Sequence, residues 1–298
     1  MRSFVRQVCF LPLLFCLWAT PVVVLAEAAL TAPINVLNNT LNIVPTIRPL
    51  ALMLQPLGMQ LPKTLVPAGV SPHDFSLRAS HIRRLREADL VLWLGPELEP
   101  YLASAMAQVP AHKQLVLSSI DTGNGWQQHP WTSPDYLFHS VQKVSQALVL
   151  LMAAQPREAQ AIAIHFIAFS KQWRASTNTM RGRLKQQQQQ LSQQQQGYIV
   201  YHDAINGFEG YFGLSHIARF TDANDHAPGA KRLAQIAQLA GEGKVACVLV
   251  DHEARHKLID AVLGPHIKRI SIDILALKSD NLEAYMAGFE NAILACNS

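Results

Sequence analysis

The sequence predicts an α/β protein built as two parallel-sheet βα lobes joined by a long, rigid helix. Three observations carry that expectation. Short apolar runs alternate with helically spaced segments through the first half of the chain, the alternation returns in the last third, and a long stretch of helical apolar spacing lies between. Strands that alternate with helices form parallel sheets, because each crossover brings the chain back to run in the same direction.

In the first half, residues 42–46, 64–66, 89–94 and 114–118 read as strands, with helical spacing at 77–87 and 96–108. In the last third, strands at 198–201, 245–250 and 267–272 alternate with helices at 204–212, 229–239 and 253–263. Between these sets, Ile162, Phe166, Phe169, Trp173, Met180, Leu184 and Leu191 recur at three, four or seven residues, with no proline inside the stretch after Pro156. That spacing predicts an amphipathic helix starting near Pro156 and running for about 35 residues, roughly 50 Å. The glutamine runs at 186–190 and 193–196 fall at its end and read as a solvated helix terminus. A helical connector is stiffer than a loop hinge, so large domain closure is disfavoured. The organisation expected is an N-terminal lobe at 29–154, the connecting helix with its glutamine-rich end at 155–197, and a C-terminal lobe at 198–298.

Residues 1–28 read as an export signal. Arg2 and Arg6 precede an apolar stretch at 8–25, and the small residues Ala26, Ala28 and Ala29 follow, which places cleavage after Ala26 or Ala28. No other run is apolar enough to cross a membrane. Of the four cysteines, Cys9 and Cys16 leave with the signal, and an even pair, Cys247 and Cys296, remains. In an oxidising compartment that pair favours a disulfide. Lys and Arg number 25 against 21 Asp and Glu, and the two signs are interspersed, so the chain carries no nucleic-acid footprint. The turn-like Gly241-Glu242-Gly243-Lys244 lacks the hydroxyl residue of a phosphate-cradling loop.

His73, His129 and His202 each follow an apolar run in a loop-like context, in three separate thirds of the chain. Neutral imidazole is the commonest protein ligand for zinc, and a site assembled from distant segments is how a folded chain encloses an ion. Their surroundings are SPHDFSLRAS at 71–80, HPWTSP at 129–134 and YIVYHDAINGFEGYFGL at 198–214. With IRPL at 47–50, ADLVLWLGPELEPYL at 88–102, APGAKRL at 227–233 and the ACVLV run around Cys247, these segments resemble the solute-binding proteins of bacterial ABC zinc importers over nearly the whole mature chain.

The resemblance implies a periplasmic monomer, a carrier and not an enzyme, that binds Zn2+ as the transported ligand and passes it to a membrane permease served by a separate ATPase subunit. It implies an interlobe metal site of His73, His129 and His202, with Asp273 at the position of the family's late aspartate and a bound water as the competing fourth ligand. The residues read independently agree in part. His202 directly follows an apolar strand, where open α/β sheets place ligands, and three imidazoles suit zinc better than a hard ion. Departures from the family are Pro72, where some members carry glutamate, and His81, where many carry aspartate and which reads here as an exposed helix residue. The segment 120–128 has no histidine and a single acid, Asp121, so the histidine-rich loop of many relatives is missing.

One rival motif is present. His252-Glu253-Ala254-Arg255-His256 matches the H-E-x-x-H pattern of zinc-dependent hydrolases. That chemistry needs both histidines one turn apart within a helix and a third ligand. His252 falls at a strand-to-helix junction, Ile259 stands where a glycine would follow, and the next glutamate is the remote Glu283. The motif therefore reads as a solvated helix start capped by His252, with an auxiliary metal site second and a hydrolase third.

Overall fold

The structure is a computed structural model that describes residues 41–118 and 128–297. The expected signal at 1–28 lies outside the described residues, as does Asp121 with nearly all of its loop. The described residues belong to one compact unit, Pro33–Ser298.

The first sheet holds β1 (Ile43–Pro45), β2 (Leu90–Trp93) and β3 (Gln114–Val116), in that order and all parallel. All four residues of the central β2 are buried, as expected of a parallel strand covered on both faces. Residues 64–66 do not form a strand. They bend beside the end of β1, with Leu65 N donating to Pro45 O and Val66 N to Thr46 O, each at 2.9 Å. Helices α1 (Arg48–Leu52) and α2 (Ala79–Glu87) follow, and the helix expected at 96–108 shrinks to a 3-10 turn, Pro100–Leu102, and a single α-turn, α3 (Ala103–Met106). The reason is local. Gly95 has φ of 98°, and a Cβ there would lie 2.7 Å from Ser118 Oγ, so the chain leaves β2 through a glycine-only bend. Glu99 then folds back, its Oε2 accepting from Leu94 N at 2.6 Å.

Helix α4 (Pro134–Leu151) was not anticipated, although its start is written in the sequence: Ser133 Oγ accepts from Tyr136 N, Pro134 opens the first turn and Asp135 lies within it. Helix α5 (Pro156–Gln193) has 38 residues, and at 1.5 Å per residue spans roughly 57 Å. Its buried stripe includes Ile162, Phe169, Trp173, Met180, Leu184, Gln187 and Leu191. The glutamine-rich end is thus not wholly solvated. Gln187 is buried and donates to Ile293 O at 3.1 Å, which continues the stripe with a polar residue whose amide finds a partner.

The second sheet holds β4 (Gly197–His202), β5 (Ala218–Thr221), β6 (Val245–Val250) and β7 (Lys268–Ser271), all parallel in the order β5-β4-β6-β7. The sequence reading missed β5, whose ARFT run is half polar because it lies at the sheet edge with only Phe220 and Thr221 buried. Helices α6 (Asn206–Phe212), α7 (Ala230–Gly241), α8 (His256–Leu263) and α9 (Leu282–Leu294) accompany these strands. Arg183 of α5 grips Glu290 of α9 with paired contacts of 2.6 and 2.8 Å. Cys247 in β6 is bonded to Cys296 beyond α9, with 5.3 Å between their Cα atoms.

Helix α8 starts at His256, not at Glu253, and Arg255 stands at its N-cap without a side-chain bond, so His252 caps nothing. Asp251 Oδ1 accepts from Glu253 N at 3.0 Å and holds the intervening residues in a turn. The H-E-x-x-H residues therefore do not share one helical face. His81 also departs from expectation: it is half-buried, its Nδ1 accepting from Arg78 N and its ring 5.1 Å from that of Phe75.

Candidate metal centre

Residues just beyond the carboxyl ends of strands in both sheets converge on one cavity of about 220 Å³. Ile47 follows β1, Leu94 follows β2, His202 ends β4, Asp251 follows β6 and Ile274 follows β7, all on its wall. Parallel sheets present their ligands at this end, because loops there carry side chains on rigid supports.

Each histidine reaches the cavity by a different device. His73 follows the 64–66 segment in a turn closed by Asp74 N donating to Ser71 O. His129 precedes the 3-10 turn Pro130–Thr132, and its carbonyl accepts from both Thr132 N and Thr132 Oγ at 3.1 and 2.8 Å. The HPWTSP motif thereby does three jobs: His129 lines the cavity, Trp131 Nε1 donates across to Ile274 O at 3.0 Å, and Ser133 caps α4. His202 is the last residue of β4, paired in register with Thr221 of β5.

The three rings form a compact cluster, with centroids 4.8 Å apart for His129 and His202, 5.8 Å for His73 and His129, and 6.0 Å for His73 and His202. One ring nitrogen from each lies within 4.8 Å of the other two. Nitrogen ligands about 2.0–2.1 Å from a tetrahedral zinc are about 3.4 Å apart, so small side-chain shifts close this cluster on an ion. His129 and His202 are buried and His73 stands exposed at the mouth. Burial holds His129 well below the usual imidazole pKa, with repulsion from His202 and His73 adding to it. Desolvation followed by repulsion from His202 lowers His73 as well. For His202 burial acts the same way, but the carboxylate of Asp251, with Oδ2 3.4 Å from His202 Nδ1, outweighs it and raises the pKa.

Asp273, expected as the fourth donor, does not join the cluster. Its Oδ1 accepts from Leu277 N at 2.7 Å, and its Oδ2 from Lys278 N at 2.8 Å and Ser279 Oγ at 3.3 Å, so the carboxylate is committed to closing the turn after β7. The structure instead brings Asp251 and Glu253 to the cavity, where they form a second group with His202 whose ligand atoms lie within 4.8 Å of one another. Sequence reasoning did not select this pair as ligands, although they follow the apolar run 245–250 just as His202 follows 198–201. His252 and His256 join neither group among the described residues.

Two parallel-sheet lobes, one connecting helix and a histidine cluster at the strand ends define a two-lobed binding protein with a cleft suited to a borderline-soft divalent cation. The chain belongs to the family described as zinc-uptake complex component A, periplasmic, whose model matches residues 43–294. It is 30% identical to the high-affinity zinc uptake system protein ZnuA of Yersinia pestis, over 91% of this chain and 96% of that relative. Among solved structures it resembles a crystal structure of ZnuA, with a TM-score of 0.70, 18% identity and coverage of 86% of this chain and 98% of that one. It also resembles the periplasmic zinc-binding protein TroA of Treponema pallidum, with a TM-score of 0.69, 18% identity and the same coverage. At these identities the two structures bear on the fold alone.

Proposed function

We propose that this chain captures Zn2+ outside the cytoplasmic membrane and presents it to an ABC permease powered by a separate ATPase subunit, acting as a monomeric carrier and not as an enzyme. The observation that carries the reading is the convergence of His73, His129 and His202, from a loop, a turn and a strand end, to within 4.8 Å. Zinc is the cargo, and the donor set fits it: three imidazoles beside carboxylates, at a cavity whose wall also includes the apolar Ile47, Leu94, Trp131 and Leu275. Export is supported by the signal-like residues 1–28, by the disulfide, and by the finding that no helix among the described residues is long and apolar enough to cross a membrane. The lobes proposed at 29–154 and 198–298 supply two histidines and one histidine respectively, so the ion bridges them, with the 155–197 helix fixing their separation.

Chelator competition on the His73→Ala, His129→Ala and His202→Ala variants tests the reading. Large losses of zinc affinity are expected in each, and impaired growth only under zinc starvation for the double variant lacking His129 and His202. Wild-type affinity in all three variants would overturn it.

A further inference from the structure

We propose that Glu253 supplies the fourth donor to the zinc ion, closing the site from the C-terminal lobe side of the cleft mouth. The proposal deepens the zinc-capture reading and rests on it. Three observations lead there.

The first is position. Glu253 lines the same cavity as His73, His129 and His202, and one of its carboxylate oxygens lies within 4.8 Å of a His202 ring nitrogen. It also heads the negative charges that act on His73. The carboxylate therefore stands on the His202 side of the cavity, grouped there with Asp251.

The second is availability. Asp251 is placed as the partner of His202, its Oδ2 facing His202 Nδ1 at 3.4 Å without a hydrogen bond of its own while its Oδ1 accepts from Glu253 N. Asp273 is consumed by the turn after β7. Pro72 leaves no carboxylate just before His73. Glu253 is half-buried, and its ion-pair contact, with His252 Nε2, is long at 3.9 Å. Its backbone, by contrast, is pinned by Asp251, so the side chain swings from a fixed point.

The third is charge. A dication held by three neutral imidazoles keeps both of its positive charges, which a desolvated site tolerates poorly without carboxylates close to the ion. Asp251 behind His202 balances one of them. A directly bound Glu253 balances the other, and a carboxylate oxygen completes the tetrahedral nitrogen and oxygen set that zinc accepts. Glu253 and His73 are then the two accessible donors, one on each side of the mouth, so the ion is gripped last by the groups that can move.

The test uses the mature protein with Zn2+ for affinity and Co2+ as a spectroscopic probe of coordination. Glu253→Gln keeps the size of the side chain and the loop, and its melting temperature without metal should match the wild type. Zinc affinity at pH 7.5 should fall by roughly tenfold or more, and the visible bands of the cobalt form should shift and change intensity as a carboxylate leaves the metal. Asp273→Asn should leave the cobalt spectrum unchanged. A Glu253→Gln protein with wild-type affinity and an unaltered cobalt spectrum would overturn the proposal, as would a spectrum that responds to Asp273→Asn instead. Failure of the zinc-capture reading looks different, because His129→Ala would then also bind zinc like the wild type.

Discussion

Asp251 Oδ2 lies 3.4 Å from His202 Nδ1, and both side chains are buried at the carboxyl ends of the neighbouring strands β4 and β6. A carboxylate on one imidazole nitrogen holds the ring in place, and the other nitrogen, Nε2, lies 3.4 Å from Ala223 O. Asp251→Asn keeps the shape and removes the charge. Zinc affinity should fall by about 10–100-fold, the range typical for loss of such a partner. In an NMR titration of the metal-free protein the His202 pKa should drop, since the largest effect opposing burial is then removed; an unchanged titration would show that Asp251 does not govern this ring.

Zinc binding should depend on pH mainly through His202. A proton must leave each imidazole before the metal binds. His73 and His129 are depressed and stay neutral where His202, raised above the ordinary value, is already taking up its proton. As pH falls through the His202 pKa, the logarithm of the affinity should therefore decline by about one per pH unit, and the slope should steepen only at lower pH. Isothermal titration at a series of pH values checks this, and a slope of three from the outset would contradict it.

Glu99 is buried on the cavity wall, and that burial pushes its carboxyl up to about 7 despite hydrogen bonds from Leu94 N and Tyr101 Oη. The folded state keeps this proton to a higher pH than the unfolded chain does, so stability falls as pH rises from the ordinary glutamate range to about 7. Each unit between the two pKa values is worth about 1.4 kcal/mol, for a full penalty on the order of 3 kcal/mol. Glu99→Gln removes it. The variant should melt higher than the wild type at pH 8 and about equally at pH 4.

The Cys247–Cys296 disulfide spans 49 residues and ties the C-terminal turn to β6. A loop of that length restricts the unfolded chain by about 4 kcal/mol in the chain-entropy account. Cys296→Ala should lower the melting temperature markedly, and alkylation without reduction should label no thiol in the exported wild-type protein.

Trp131 joins the two halves of the site, its ring 5.2 Å from that of His129 and its indole N–H on Ile274 O. Trp131→Phe keeps the ring but loses the hydrogen bond, while Ile274 O retains the Tyr285 hydroxyl at 2.6 Å. The cost should be about 1 kcal/mol, or a melting temperature roughly 2–4 °C lower, which calorimetry would resolve.

Much of this was legible in the chain. The apolar run 245–250 coincides with β6, the Pro156 start of the long helix is where Pro and Glu158 in the first turn place it, and three histidines in loop contexts pointed to one cluster. Helix α4 escaped although Ser133 and Pro134 mark its start, while β5 at a sheet edge and Gln187, which meets a carbonyl of α9, escaped because their burial is set by neighbours.

The sequence by itself determined the alternation of strands and helices, and which residues end apolar strands, because these depend on local composition and period. Only the tertiary structure decided which strand ends lie side by side. The order β5-β4-β6-β7 sets Asp251 and Glu253 beside His202, while the turn after β7 absorbs the Asp273 carboxylate in its own backbone N–H groups. No spacing along the chain encodes that choice, since strand order and side-chain commitment emerge only when distant segments pack and compete for the same hydrogen-bond donors.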